Sequence, residues 1–251
     1  MKAMIFAAGL GTRLKPLTDT MPKALVPIAG QPLLQHVFDR LSAIGYDDFV
    51  VNTHHFADQI IDFITDTATL PEGTRVQISN EQPEPLETGG GILNAEPMLT
   101  DRDDPHFLVH NVDILSDLDF DWFLSQVEPE ALSTILVSDR VTQRYFLFDD
   151  DMRLVGWTNI ATGEVKSPFE GIDPAKCRKY AFAGIHCMST KIFEVMKQLG
   201  YEGKFSIVDF YLKACERHII RGALPEQLTL VDVGKLSTLQ VAEDFCESHT
   251  K

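Results

Sequence analysis

The stretch FAAGLGTRLKPLTDTMPKAL, residues 6–25, brings two glycines, two prolines and several cations together directly after an apolar segment. The preceding run KAMIFAA (2–8) ends in small residues before a glycine, which is typical of a buried parallel strand. Glycine loosens the backbone and proline blocks helical hydrogen bonds, so residues 9–25 are predicted to form a long loop. The predicted start of the fold is therefore a buried strand that is followed by a long loop and not directly by a helix.

The segments that follow this loop alternate between helix and strand patterns. PLLQHVFDRLSAIG (32–45) and ADQIIDFIT (57–65) carry apolar residues at helical spacing. DFVVNT (48–53) and TRVQIS (74–79) are predicted strands. The βαβαβ order predicts an α/β fold with a parallel sheet and right-handed crossovers.

The remainder of the chain has a less regular pattern, and the change near residue 117 suggests a nucleotide-type first half (1–117) and a partner-specific second half (118–251) of a single domain. The predicted elements are a helix at 89–99, a strand at 106–117, a helix at 119–127 capped by Asp117 or Asp119, a strand at 133–138, a hairpin at 145–157, an irregular segment at 159–178, a strand at 180–189, helices at 191–199 and 206–219, a strand at 228–234 and a closing helix at 236–249.

Composition and charge exclude several classes of partner. The 251 residues include 22 Lys+Arg against 37 Asp+Glu, a formal charge of -15 that disfavours binding to nucleic acid or an anionic membrane. No apolar run approaches the roughly 20 residues that span a bilayer, and the four cysteines have neither zinc-ligand nor disulfide-framework spacing. We therefore expect a cytoplasmic protein without nucleic-acid or membrane partners; the oligomeric state is not predicted.

The loop at 9–25 differs from two well-known phosphate-binding signatures. Leu14 stands where a dinucleotide fingerprint needs its third glycine, and the Gly-Lys-Ser/Thr of a Walker A loop is absent. Glycine N–H groups and the cations Arg13, Lys15 and Lys23 still suit a wrapped triphosphate, particularly in so acidic a chain. The alternative is a glycine-rich surface turn with solvated cations.

Two aspartates follow predicted strands. Asp113 comes after FLVHNV and Asp232 after LTLV, so both carboxylates are expected at the same edge of the sheet. Paired carboxylates there provide the hard oxygen ligands that Mg²⁺ prefers. The alternative is that each aspartate caps the turn after its strand.

The N-terminal region AAGLGTRLKPLTDTMPKALVPIAGQPLL resembles the signature of the sugar-1-phosphate nucleotidyltransferases. EPLETGGGIL, FAGIHCMS and LVDVGKLSTLQVAE are similar, in order and spacing, to the branch that contains N-acetylmuramate 1-phosphate uridylyltransferases and mannose 1-phosphate guanylyltransferases. The resemblance covers nearly the whole chain. It implies a three-layer, Rossmann-like, mixed and mainly parallel sheet of the nucleotide-diphospho-sugar transferase type.

The resemblance also implies roles for particular residues. Arg13 would hold the β- and γ-phosphates and Lys23 the α-phosphate or the attacking phosphate, which makes these two the catalytic pair. Asp113 and Asp232 match the two metal-binding aspartates, with Mg²⁺ as cofactor. The predicted nucleotide-binding residues are Ala8, Gly9, Gly11, Thr12, Arg13, Lys23, Gln82 and Gly89.

The sugar side carries fewer signals. Residues 118–251 are expected to form the sugar-phosphate-binding half, and the candidate contacts to the sugar phosphate are Asn111, which precedes that half, Gly184 and Asp209. Lys166 and Lys179 are candidates for its cation, and the alternative is that both are solvated loop lysines. Val112 departs from the family's usual Asn-Gly-Asp, because valine carries a Cβ and disfavours positive φ.

These expectations predict an enzyme that makes an NDP-sugar and pyrophosphate from an NTP and a sugar 1-phosphate. UTP with N-acetylmuramate 1-phosphate is placed first and GTP with mannose 1-phosphate second. Cytidylyl transfer to a phosphorylated alcohol and a catalytically inactive nucleotide-sugar-binding relative are the remaining alternatives.

Overall fold

The computed structural model describes residues 1–100 and 104–249, and its elements follow the apolar periodicity of the chain. The strands are β1 (Lys2–Phe6), β2 (Pro27–Ile28), β3 (Gln31–Pro32), β4 (Asp48–Thr53), β5 (Arg75–Asn80), β6 (His106–Asn111), β7 (Ile114–Ser116), β8 (Ser133–Ser138), β9 (Arg144–Phe148), β10 (Leu154–Asn159), β11 (Glu164–Lys166), β12 (Arg178–Ser189), β13 (Ile220–Ala223) and β14 (Leu230–Asp232). The α-helices are α1 (Leu33–Ser42), α2 (Ala57–Asp62), α3 (Glu87–Asn94), α4 (Glu96–Leu99), α5 (Phe120–Ser125), α6 (Ile192–Gln198), α7 (Ile207–Ala214) and α8 (Leu239–His249).

The described residues group into two compact units. The first unit comprises those of Met1–Pro85, Asn94–Leu118 and Thr229–Lys251, and the second comprises Leu86–Leu93 and Asp119–Leu228. The closing helix α8 therefore belongs with the N-terminal elements. The assignment of one half to nucleotide and the other to sugar phosphate stays a prediction.

The first unit is organised around the parallel strands β6, β1, β4 and β5, in that order. Ala3, Met4 and Ile5 of β1 are fully buried, and every residue of β4 is buried. Phe6 pairs with Asn52 on one side and with Asn111 on the other, so these strands end at a common edge. The predicted α/β class and parallel βαβαβ order are confirmed.

Helix α1 shows how the sequence builds this unit. Leu34, Val37, Phe38 and Leu41 recur at helical spacing and are buried, and each such side chain contributes about 1.5–3 kcal/mol by leaving water. Gly45 follows the helix with a φ of 88°, a left-handed conformation that would strain a residue with a side chain.

The second unit contains a mixed sheet. Strand β8 pairs parallel with β13 and antiparallel with β12, and β12, β9, β10 and β11 continue in antiparallel pairs. The predicted hairpin is confirmed by the antiparallel pairing of β9 with β10. In its turn, Asp149 Oδ1 accepts hydrogen bonds from the main-chain N–H groups of Asp151 (3.0 Å) and Arg153 (2.8 Å).

Several predicted boundaries were wrong. The segment 106–117 is not one strand, since the chain turns after β6 and β7 pairs antiparallel with β14 in a separate small sheet. The predicted helix at 89–99 is two helices, the helix at 206–219 ends at Ala214, and the irregular segment contains β11. Asp119 caps α5 by accepting from Trp122 N–H at 3.0 Å, whereas Asp117 accepts from Thr229 N–H at 2.8 Å.

Within residues 1–100 and 104–249, no helix has the length and apolar character needed to span a membrane.

Candidate active site

The loop after β1 folds back on itself at Gly11. Gly11 has a φ of 62°, and a Cβ at this position would lie 2.8 Å from Thr18 Cγ2 and 3.2 Å from Lys23 Cβ. Its carbonyl oxygen accepts hydrogen bonds from the Thr18 hydroxyl and from Leu14 N–H, both at 2.8 Å. Glycine is required here because the two ends of the loop close over it.

Gly9 is a contrasting case in the same loop. Among the described residues, no heavy atom outside Gly9 and its two chain neighbours lies within 4 Å of the position that a Cβ of Gly9 would occupy, so its main chain borders open space. The structure therefore separates two roles that the sequence assigned jointly: Gly11 shapes the loop, and Gly9 leaves room for a ligand to approach the backbone.

The cations of the loop have different partners. Lys15 Nζ pairs with Asp19 Oδ1 at 3.0 Å on an exposed face, and its role as an anion ligand stays a prediction. Thr12 and Arg13 lie in an exposed short 3₁₀ turn, Thr12–Leu14. Lys23 begins another, Lys23–Leu25, and its side chain is only 11% exposed.

Lys23 is directed at one of the predicted metal ligands. Its Nζ donates a hydrogen bond to Asp113 Oδ2, and the Asp113 side chain is 19% exposed. Asp113 occupies the turn between β6 and β7, beside the edge at which β1 ends. The structure thus brings Lys23 and Asp113 together, and their low exposure makes the Coulomb attraction between them stronger than that of a solvated pair.

Arg13 and Asp232 meet at a residue that the sequence analysis did not single out. A Cβ on Gly234 would lie 2.6 Å from Asp232 Oδ1 and 2.9 Å from Arg13 Nη2. The missing side chain of Gly234 therefore makes room for both charged groups. The glycine in the motif Val-Asp-Val-Gly was the available signal.

The two aspartates are connected through the small sheet. Strand β14 pairs with β7 so that Asp232 lies opposite Ile114, and Val233 N–H donates to the carbonyl oxygen of Asp113 at 2.8 Å. Two strand-end carboxylates and the cations Arg13 and Lys23 are thereby gathered at one edge of the first unit.

The carboxylates fit a divalent cation by their chemistry. Asp232 Oδ1 is buried and finds no hydrogen-bond partner among the described residues, which is costly for a charged oxygen unless a ligand completes it. Across the same residues no cluster of three or more His, Cys, Asp or Glu side chains is arranged to hold a metal. Mg²⁺ commonly takes one or two carboxylates and completes its shell with water and substrate phosphate. Asp113 and Asp232 meet that requirement.

Val112 does not strain the turn that contains Asp113. Val112 does not have a positive φ and is 4% exposed, so it packs in the interior with an ordinary backbone. Asn111 is half-buried at the end of β6. The replacement of the family glycine therefore leaves the backbone at Asp113 unstrained.

His110, next to Asn111, is a neutral group. Burial lowers its pKa from 6.5 to about 4, with Arg40 acting in the same direction and the Asn111 carbonyl and Asp113 opposing it. The ring borders a cavity of about 770 Å³ lined by α1, β7 and α8. None of the predicted site residues lines this cavity, which is thus separate from the charged edge.

The residues predicted to border the base divide into two groups. Gln82 is exposed and its Nε2 approaches the His54 carbonyl at 3.4 Å. Its neighbour Glu81 is 2% exposed and accepts a 2.6 Å hydrogen bond from Asn52 Nδ2. Gly89 lies in the second unit, where a Cβ would come within 2.3 Å of the Phe205 ring, so its glycine serves close packing.

The sugar-side candidates also lie in the second unit. Gly184 has a φ of 79° where β12 shifts register against β8. Asp209 is exposed and lies 3.8 Å from Lys166 Nζ, which stands 5.5 Å over the Trp157 ring. Lys179 is exposed in β12. Their assignment to the sugar phosphate stays a prediction.

The first unit therefore presents an α/β sheet edge with a glycine loop, two cations and two carboxylates, an arrangement typical of proteins that bind a phosphorylated ligand. Residues 2–249 match the family model described as nucleotidyl transferase, and the chain belongs to that family of enzymes.

Individual relatives and a solved structure agree with the family. The chain is 31% identical over 234 residues to an N-acetylmuramate alpha-1-phosphate uridylyltransferase of Caulobacter vibrioides, covering 90% of this chain and 89% of that protein. It is 40% identical over 121 residues to a probable mannose-1-phosphate guanylyltransferase of Arabidopsis thaliana, covering 47% of this chain and 32% of that one. HddC of Yersinia pseudotuberculosis, solved with GMP-PN, has a TM-score of 0.72 at 25% identity and 97% and 98% coverage. The predicted family and fold are confirmed.

Proposed function

We propose that the protein joins an NTP and a sugar 1-phosphate into an NDP-sugar with release of pyrophosphate, in a Mg²⁺-dependent reaction. UTP with N-acetylmuramate 1-phosphate or a similar sugar is the first choice of substrates. The observation that carries the proposal is the gathering of Lys23, Arg13, Asp113 and Asp232 at the edge where β1 opens into its glycine loop.

The reaction needs no protein nucleophile. An oxygen of the sugar phosphate attacks the α-phosphorus of the NTP, the new P–O bond forms, and the bond to pyrophosphate breaks with its electron pair. The protein must bring two polyanions together and stabilise the charge that spreads over the transferred group.

The cations supply this stabilisation. Arg13 is exposed and extends from the loop, where it suits the β- and γ-phosphates of the leaving group. Lys23 lies beside Asp113, where it suits the α-phosphate or the attacking phosphate. Asp113 and Asp232 would hold Mg²⁺, which supplies positive charge to the phosphate oxygens when bound. Gly9 gives the phosphates access to the main chain.

Guanylyl transfer to mannose 1-phosphate is the second candidate. The N-terminal similarity to the plant guanylyltransferase and the structural likeness to a protein solved with GMP-PN support it. The charged edge is proposed to contact phosphates and metal, so it favours neither UTP nor GTP, and a panel of nucleotides compares the two.

A pyrophosphate-release panel tests the proposal. The protein is incubated in Mg²⁺ with UTP, GTP, CTP or dTTP, each crossed with N-acetylmuramate 1-phosphate, mannose 1-phosphate and glucose 1-phosphate. Release that depends on both substrates supports the proposal, and the best pair identifies the base and the sugar. Nucleotide binding without release from any pair would instead indicate a catalytically inactive nucleotide-sugar-binding relative.

A further inference from the structure

The first two residues beyond β1 depend on a side chain of the neighbouring strand. The main-chain pairing of β1 ends at Phe6, so the N–H groups of Ala7 and Ala8 lie outside the ladder. Both donate to one atom, Asn52 Oδ1, at 2.7 Å and 3.3 Å. Asn52 is at the matching position of β4 and is 2% exposed.

Two successive N–H groups that share one acceptor determine the direction of the chain. In an extended strand, consecutive N–H groups point to opposite sides, so Ala7 and Ala8 can reach the same oxygen only if the backbone turns between them. The residue that follows this turn is Gly9, whose main chain borders open space. Asn52 therefore determines how the glycine loop leaves the sheet.

Glu81 fixes which end of the Asn52 amide faces the loop. Asn52 Nδ2 donates to Glu81 Oε1 at 2.6 Å, and an ionised carboxylate can only accept. Glu81 is itself held in place, because its N–H donates to the Thr53 carbonyl at 2.8 Å and its carbonyl lies 2.6 Å from His54 Nδ1. With Nδ2 committed to Glu81, Oδ1 must face Ala7 and Ala8.

We propose that Asn52 and Glu81 are positioning residues for the triphosphate of the nucleotide. They act through the main chain of Ala7 and Ala8, and hold the loop so that its N–H groups from Gly9 onward face the phosphates. The inference rests on the proposed function, since it concerns the loop that would bind the NTP. It assigns to Glu81 the orientation of Asn52.

Exchanging the donor and acceptor of the pair tests the proposal. Asn52→Asp keeps an oxygen for Ala7 and Ala8 but sets two carboxylates against each other. The double variant Asn52→Asp, Glu81→Gln restores a donor opposite an acceptor and keeps the oxygen at the loop. Asn94→Asp is the matched control, because it makes the same change at an exposed asparagine at the end of α3.

Binding of UTP and of sugar 1-phosphate is measured by calorimetry on each full-length variant, with circular dichroism to verify folding. We expect Asn52→Asp to weaken UTP binding by about tenfold or more, the effect of one misplaced hydrogen-bonding group. The double variant should return to within about threefold of the parent. Sugar 1-phosphate binding should be unchanged, whereas a general loss of structure would weaken both ligands.

The outcomes separate this inference from the proposed function. If the unchanged protein binds UTP but Asn52→Asp binds it equally well, or the double variant is no better than Asn52→Asp, the positioning role is overturned. If the unchanged protein binds no NTP of the panel, the proposed function fails and the inference fails with it. Should Asn52→Asp not fold, Glu81→Leu replaces it, and the same selective loss of UTP binding is required.

Discussion

The side-chain ammonium of Lys23 donates a hydrogen bond to the carboxylate of Asp113, across a separation of ninety residues in the chain. Lys23 belongs to the glycine loop, and Asp113 belongs to the turn whose main chain is hydrogen-bonded to Val233, the residue after Asp232. Two groups that are expected to contact substrate and metal therefore form an ion pair with each other.

Replacing Lys23 should separate its two effects. Lys23→Met removes the cation, and we expect turnover to fall by about 10²-fold or more because charge on the transferred phosphate is no longer stabilised. Binding of Mn²⁺, measured by electron paramagnetic resonance without nucleotide, should tighten, since Asp113 loses its competing cation. Lys191→Met is the matched control, because Lys191 is an exposed lysine at the start of α6 to which no role at the site is assigned. Unchanged Mn²⁺ affinity in Lys23→Met would contradict the competition.

The two aspartates should differ in their effect on stability. Asp113→Asn and Asp232→Asn are both expected to lose turnover to background. Without metal, Asp113→Asn should lower the free energy of unfolding by about 1–3 kcal/mol because buried Lys23 loses its counter-charge. Asp232→Asn should not lower it, because Asp232 Oδ1 has no partner among the described residues. Urea unfolding measures both, and full activity in the double variant would refute the metal assignment.

The two loop glycines should respond differently to alanine. Gly11→Ala combines a φ of 62° with a contact of 2.8 Å to Thr18, so we expect it to destabilise the protein by about 2 kcal/mol. Gly9→Ala meets no atom within 4 Å and should leave stability within about 0.5 kcal/mol while weakening NTP binding. Thermal unfolding and nucleotide titration distinguish the two, and equal destabilisation by both variants would contradict the separate roles.

Gly234 should be intolerant of any side chain. In Gly234→Ala, the new methyl group would fall 2.6 Å from Asp232 Oδ1 and 2.9 Å from Arg13 Nη2, so one of the charged groups must move. We expect turnover to fall by about 10²-fold with the fold retained, as for other displaced catalytic groups. Steady-state kinetics with circular dichroism test this, and a turnover number equal to that of the parent would contradict the steric argument.

His110 should make the protein acid-sensitive. Its pKa is about 4 in the folded state, against 6.5 as the ordinary value, so between these values the unfolded chain binds the extra proton. Stability contributed by neutral His110 is complete above pH 6.5 and is lost as the pH falls towards 4, amounting to about 2 kcal/mol between pH 7 and pH 5. Between pH 7 and pH 5, the urea midpoint should fall less for His110→Phe than for the parent. An identical pH dependence in the variant would contradict the prediction. Asp113 and Arg40 are the charged groups that act on the pKa of His110.

The sequence predicted the parallel strands and α1 well because their signals are local. Buried strands read as continuous apolar runs, and Leu34, Val37, Phe38 and Leu41 repeat at helical spacing. The break at Asp113 was missed because the apolar residues Ile114 and Leu115 follow it and read as more of the same strand. What changes there is the hydrogen-bonding partner, from β1 to β14, and that partner lies more than a hundred residues away.

The charged edge was predicted in part for the same reason. Motif resemblance singled out Arg13, Lys23 and the two aspartates, and the structure brings Lys23 to Asp113. Gly234 and Asn52 were not singled out, since their importance lies in contacts with distant residues. The pairing of Lys15 with Asp19 was open to prediction, because opposite charges four residues apart are a local signal.

The pairing of β7 with β14 determines when, during synthesis, the two aspartates can come together. Asp113 leaves the ribosome long before Asp232, and 118 intervening positions, most of them belonging to the second unit, are synthesised between them. Until β14 is available to pair with β7, a nascent chain has the glycine loop and Lys23 but only one of its two carboxylates. The two carboxylates of the proposed metal site can therefore come together only after residue 232 has been synthesised.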